Sequence, residues 1–184
     1  MNAQDDPLRP IHARSIIHVS IHGNDILDFA QEITYDYVDT SNGAYFDKVV
    51  HDAEFLRQEI ATVEKNMQSS LDEEINLVNG ARVYPRILNT AVDFKTEPRY
   101  PYYTWLIAWN GSTSISGKQV YEVKTEPAAL EYSAKSTYIL PSNARIVEVD
   151  SSLAYENVLK NIIVFRGSRG DMVQEIERIA WIVE

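Results

Sequence analysis

Two hydrophobic periods divide this chain. Phe46, Val49, Ala53, Leu56, Ile60, Val63 and Met67 recur at alternating spacings of three and four, whereas most apolar positions beyond Asn79-Gly80 recur at two. The first spacing lines one face of an α-helix and the second one face of a pleated strand. The pattern predicts an α+β fold, mainly antiparallel β, built as a sandwich or partly open barrel with one long amphipathic helix. That helix is expected from about Ala44 to about Gln68, roughly 37 Å at 1.5 Å per residue, long enough to cross a whole sheet. Its seven apolar positions also have heptad spacing, so residues 44–68 either pack on the body or offer a face for self-association or a protein partner.

The strands follow from alternation and its interruptions. Residues 1–10, with Pro7 and Pro10, read as an irregular lead-in, and 11–184 as a single mixed domain, with a strand and helix region to 74 and a strand-rich body from 75. From His12 to His22, Ala13, Ser15, Ile17, Val19 and Ile21 share one face, opposite His12, Arg14, Ile16, His18, Ser20 and His22. Gly23-Asn24-Asp25 predicts a turn and then a short capped helix through Ala30. Tyr35, Tyr37 and Val38 favour a strand over 33–38. Ser70-Leu71-Asp72-Glu73 offers a capping box for a second short helix or turn before Ile75. Asn79-Gly80 supplies the positive backbone angles of a type I′ hairpin turn. Tyr84, Leu88, Val92 and Phe94 are expected on one face of the next strand, which Pro85 demotes to an edge or a bulge. Tyr102 to Trp109 is apolar on both faces and is expected to be central, with Trp105 pointing inward. Further strands are expected over 119–125, 136–140, 145–149, 161–165 and 178–183, with short connections that favour antiparallel pairing.

Composition narrows the function classes. The 184 residues are 45% hydrophobic and carry 19 aromatics, 11 of them Tyr, enough for one substantial core. Without cysteine there are no disulfides, thiolate metal sites or cysteine nucleophiles. A net charge of -10 argues against nucleic-acid binding, which needs clustered Lys and Arg. Residues 44–78 hold eight Asp or Glu against three Lys or Arg, so the outer face of the helix is expected to be acidic. No run of apolar residues is long enough for a membrane span, and the polar start is unlike a secretory signal; a soluble, cytoplasmic chain is the expectation.

Candidate chemistry is sparse. His18 and His22 would lie about 13 Å apart on a regular strand, too far to chelate one ion, and no compact histidine motif occurs, so no metal site is expected. The clusters Asn110-Gly111-Ser112 and Arg166-Gly167-Ser168-Arg169-Gly170-Asp171 lack the lysine and helix of a phosphate cradle and read as hairpin turns. Asn110-Gly111-Ser112 also fits a glycosylation sequon, and Arg169-Gly170-Asp171 an adhesion tripeptide. Tyr100, Tyr102 and Tyr103, beside Arg99, are candidate binding residues able to stack on a sugar or a peptide, or to pack within the sheet.

Arg14, Ser112-Thr113-Ser114 and Glu175-x-Glu177 together resemble the arginine, Ser-Thr-Ser and Glu-x-Glu pattern of toxin-like ADP-ribosyltransferases, at six matched residues of the chain. The resemblance implies an enzyme using the nicotinamide dinucleotide NAD. Arg14 would support the phosphates, Ser112 and Thr113 the pocket, Glu175 the acceptor and Glu177 the developing cation. Against it stands the reading of 118–125 as a strand, where that family has a helix. With no other catalytic constellation in view, the leading expectation is a noncatalytic binding or assembly module without a cofactor.

Overall fold

A computed structural model describes residues 7–23, 25–114 and 117–183. Strands β1 (Leu8–His22) and β2 (Ile26–Asp39) form a long hairpin, followed by helices α1 (Ala44–His51) and α2 (Ala53–Glu73). Then come β3 (Ile75–Val78), β4 (Ala81–Val83), β5 (Arg86–Phe94), β6 (Pro101–Ser112), β7 (Lys118–Lys124), β8 (Ala128–Ala129) and β9 (Ser133–Ile139). The chain closes with β10 (Ala144–Asp150), β11 (Ala154–Leu159), β12 (Ile162–Gly167), β13 (Met172–Val173) and β14 (Ile176–Val183). One sheet has the order β11-β12-β9-β1-β2-β6-β5 and the second β10-β14-β7-β3-β4; β8 and β13 make a small ribbon. The result is a mainly antiparallel sandwich with helices and without a closed barrel. Within the larger sheet β1 and β2, from before residue 75, are flanked on both sides by strands from after it.

The hairpin that opens the chain overturns two expectations. Leu8 to Pro10 already pair with β2, in place of an irregular lead-in; residues 1–6 lie outside the described part. No helix follows the Gly23 turn: Leu27 and Phe29 are buried while Ile26 and Ala30 are exposed, the period of two that a strand requires. Of that turn, Asn24 lies outside the described residues.

The long helix is two helices. Asp52 is extended (φ -116, ψ 106), and its carboxylate accepts from the backbone N–H groups of Glu54 and Phe55 at 3.0 and 3.1 Å. An aspartate that satisfies two N–H groups starts a helix rather than continuing one. The Ser70–Glu73 stretch ends α2 instead of capping a new helix. Leu56, Val63 and Met67 nevertheless pack against the core, and Phe46 and Val49 are wholly buried. Thus much of the heptad stripe faces the chain's own body.

Asn79 (φ 51) and Gly80 (φ 81) adopt the expected positive angles between β3 and β4. The Asn79 side chain also donates to Ser112 O and Gln119 Oε1 and accepts from Val120 N, each at 2.8 Å, so this turn ties β3 to the ends of β6 and β7. Gly111 is no turn residue: it lies within β6, where a Cβ would come within 2.6 Å of Val78 across the sandwich. Gly167 is likewise inside a strand, whereas Gly170 (φ 93) does form a turn. β6 buries Tyr103, Trp105, Ile107 and Trp109 on its inner face, but it is the neighbour of edge strand β5; β1 is the central strand. A bulge between Ile87 and Asn89 breaks the expected face of β5, leaving Leu88 exposed while Val92 and Phe94 pack inward. β9 pairs with β1 in parallel, an exception to the expected antiparallel order.

Unequal strand lengths shape the interior. β1, β2 and β6 run for 15, 14 and 12 residues, against 7 and 8 for β7 and β14 in the facing sheet. Where the two sheets overlap fully, Phe29 stacks on Trp109 (5.1 Å between ring centroids) and both meet Tyr121 from the other sheet. Toward the other end the smaller sheet runs out, and α2 takes its place as a wall.

Candidate functional site

At that end lies a cavity of about 980 Å³. The larger sheet lines it with Tyr35 and Tyr37 of β2, Tyr103 and Trp105 of β6, and Tyr138 of β9; the smaller sheet adds Asn76, Tyr121, Val123 and Glu177. α2 contributes Glu59, Val63, Met67 and Leu71, and Glu74 follows at its C-terminal cap. The arrangement follows from parity. Along β2 and β6 the inner positions are the odd-numbered ones, which places 35, 37, 103 and 105 on one surface.

The rings hold one another edge-on. Trp105 meets Tyr35 at 5.6 Å and Tyr103 at 6.0 Å, both nearly perpendicular, and Tyr35 meets Tyr132 at 5.5 Å. Such T-shaped contacts set the positive edge of one ring against the negative face of the next. Burial pushes the Tyr35, Tyr103, Tyr121 and Tyr138 phenols up from their ordinary range, so they stay neutral; for Tyr103 a hydrogen bond to Glu59 adds to the effect. Tyr121 donates to Asn76 Oδ1 at 2.6 Å.

Three carboxylates reach this compartment, in different states. Glu59 accepts from the hydroxyls of Tyr45 and Tyr103. Glu177 accepts from Ser152 N at 3.2 Å and Ser152 Oγ at 2.6 Å. Among the described residues Glu74 has only a long contact from Asn76 Nδ2, at 3.4 Å, and burial raises its pKa. Arg178 also lines the cavity, but its guanidinium is paired with Glu148 at 3.0 Å; Lys118 and then Arg178 hold that carboxyl below the usual range.

The residues singled out from sequence fall in separate places. Arg14 is exposed on the outer face of β1, opposite Thr34, while Ser112 lies opposite Ile26. Those partners are eight residues apart on β2, roughly 26 Å at 3.3 Å per residue. Ser112, Thr113 and Ser114 form the link out of β6: Ser112 O accepts from Asn79, Thr113 N donates to Asp25 O and Ser114 N to Gln119 Oε1. Glu175 is exposed, with its carbonyl accepting from Thr125 N, and Glu177 points into the cavity. The fold does not bring Arg14 and Ser112 into one site with Glu177. Of the three candidate tyrosines, Tyr103 lines the cavity, Tyr102 faces the other side of β6 beside Asp93, and Tyr100 sits in the preceding turn against Arg99. Among the described residues no three His, Asp or Glu side chains are grouped to hold a metal, and no helix is long and apolar enough to cross a membrane.

Sequence reasoning missed Tyr35, Tyr37, Tyr121 and Tyr138 as a set. Their signal is a shared inward parity on three strands, which becomes a single surface only once the strand order is known.

Fold and site together define a two-sheet antiparallel sandwich with a helical wall and an aromatic interior cavity. No family profile matches the chain, and no curated protein sequence does either. Among solved structures, the acetylcholine-binding protein AChBP from Bulinus truncatus is similar over 95% of this chain and 89% of that one, at 7% identity and a TM-score of 0.33.

Proposed function

We propose that the protein is a noncatalytic binding module that holds a small molecule in the cavity between its sheets. The carrying observation is the compartment itself: about 980 Å³, at the upper end of the range of ligand pockets, walled by aromatic rings with a few fixed polar groups. Burial keeps Tyr35, Tyr103, Tyr121 and Tyr138 neutral and the best-bonded carboxylates are engaged as acceptors, which supports retention of a ligand rather than proton transfer. No cofactor enters this reading.

The test uses N-phenyl-1-naphthylamine, a neutral fluorophore that brightens in apolar surroundings. The wild type should bind it saturably. Ser136→Trp, on the cavity side of β9, should weaken binding at least tenfold while circular dichroism and the melting midpoint stay near wild type. Unaltered binding in that variant, or no saturable binding by the wild type, overturns the reading. Should Ser136→Trp not fold, Val123→Phe fills the same space from the opposite sheet.

A further inference from the structure

Glu74 combines three features that together ask for a positive partner. First, it caps the C-terminal end of α2, where the unpaired carbonyls make the negative pole of the helix; the last turn contains Asp72 and Glu73 and no basic residue. Second, its carboxylate enters the cavity, and no Lys, Arg or His side chain pairs with it among the described residues. Among the described residues the one cation lining the cavity, Arg178, pairs through Nη1 with Glu148 at 3.0 Å, while its Nε is buried without a partner. Third, the charge of Glu74 is felt by the phenols of Tyr35, Tyr121 and Tyr138, which lie on three strands around the same space.

A carboxylate at a helix's negative end, close to aromatic rings, makes the potential negative in that part of the cavity. Ring faces contribute through their quadrupoles, which attract ammonium groups that have shed water. The electrostatic demand is for a charge, whereas the other walls, Val63, Met67 and Trp105, are apolar and suit a hydrocarbon or aromatic body.

Resting on the binding reading above, we infer that the ligand of this cavity is an organic cation, an amine or quaternary ammonium with an apolar body, whose charge sits between the Glu74 carboxylate and the rings of Tyr35, Tyr121 and Tyr138. A neutral apolar molecule would fill the space and leave Glu74 uncompensated. An anion would face repulsion from Glu74 and from the ring faces together.

The experiment is displacement of N-phenyl-1-naphthylamine by a matched pair, benzyltrimethylammonium and its neutral isostere neopentylbenzene, which share shape and differ in charge. On wild-type protein the cation should bind at least tenfold more tightly than the isostere. In Glu74→Gln that preference should fall to within about twofold. Equal affinities on the wild type overturn the cation assignment and leave the binding reading standing, as does a preference that survives Glu74→Gln. If neither probe displaces the fluorophore and Ser136→Trp leaves its binding unaltered, the cavity reading itself falls. The wild-type comparison stands without the variant, and Tyr138→Leu, which removes a ring and keeps the charge, should halve the preference or more if Glu74→Gln cannot be purified folded.

Discussion

Two carboxylates at opposite poles of the helical segment, one buried and one half-buried, show how much a charge depends on where the chain puts it. Asp39, almost fully buried, sits ahead of α1, where Ser41 N, Ser41 Oγ and Phe46 N donate to it at 2.8, 2.5 and 2.9 Å. It faces the positive end of a helix and its charge is welcome. Glu74 faces a negative end with one long contact, and burial lifts its pKa. A carboxyl whose folded pKa lies above its unfolded value holds its proton more tightly in the native state. Stability therefore declines as pH rises through that interval, and the full penalty is present above the raised value. Glu74→Gln without ligand should melt above the wild type at neutral pH, and the gap should close as pH falls below the usual carboxylate range. In a chain this size a change of ~1 kcal/mol moves the midpoint by ~2–4 °C, within reach of calorimetry at two pH values. Identical midpoints at every pH would show Glu74 to be well solvated.

At the level of elements, the local signals were the most legible. Asn79-Gly80 announced its turn because the backbone angles it favours are those the hairpin needs, and the alternation from Ala13 to Ile21 marked the inner face of β1 correctly. The break at Asp52 was also written in the sequence, as a capping residue two positions ahead of Glu54, but the unbroken heptad stripe concealed it: hydrophobic period reports which face is buried, not whether the backbone is continuous. The Ile87–Asn89 bulge had only Pro85 as its warning, and it alone moves Leu88 from an expected inner face to the solvent. Asp52→Ala should cost about 1 kcal/mol, the usual worth of a side-chain cap, with α1 and α2 retained. Leu56→Asp, on the packed face of α2, should cost clearly more, because it puts a charge against apolar neighbours. Chemical denaturation of both variants checks the order. If Asp52→Ala proves the more damaging, the cap rather than the packed stripe holds α2 in place.

For the molecule as a whole, what the sequence could not disclose is the strand order, and the cavity depends on it. Tyr35, Tyr121 and Tyr138 are separated by 86 and 17 residues along the chain and meet only because β2, β7 and β9 face one cavity. The same arrangement gives the sandwich two unequal ends, and its tryptophans sample both. Trp109 lies at the dry end, stacked on Phe29 within 10° of parallel, while Trp105 borders the cavity. Removing a large side chain costs its transfer free energy plus a cavity term that depends on how far the surroundings can relax or refill. Both residues are nearly fully buried, so Trp105→Ala and Trp109→Ala should each destabilise the fold by about 3 to 5 kcal/mol. Trp109→Ala should lie at the upper end, since it opens a sealed void between ordered rings. Trp105→Ala should lie at the lower end, since it enlarges a space that solvent or a ligand can occupy, and it should also weaken fluorophore binding. Urea denaturation of the two variants, read beside their probe affinities, separates these effects. A larger loss for Trp105→Ala than for Trp109→Ala would mean that the cavity wall, and not the stacked end, anchors the two sheets.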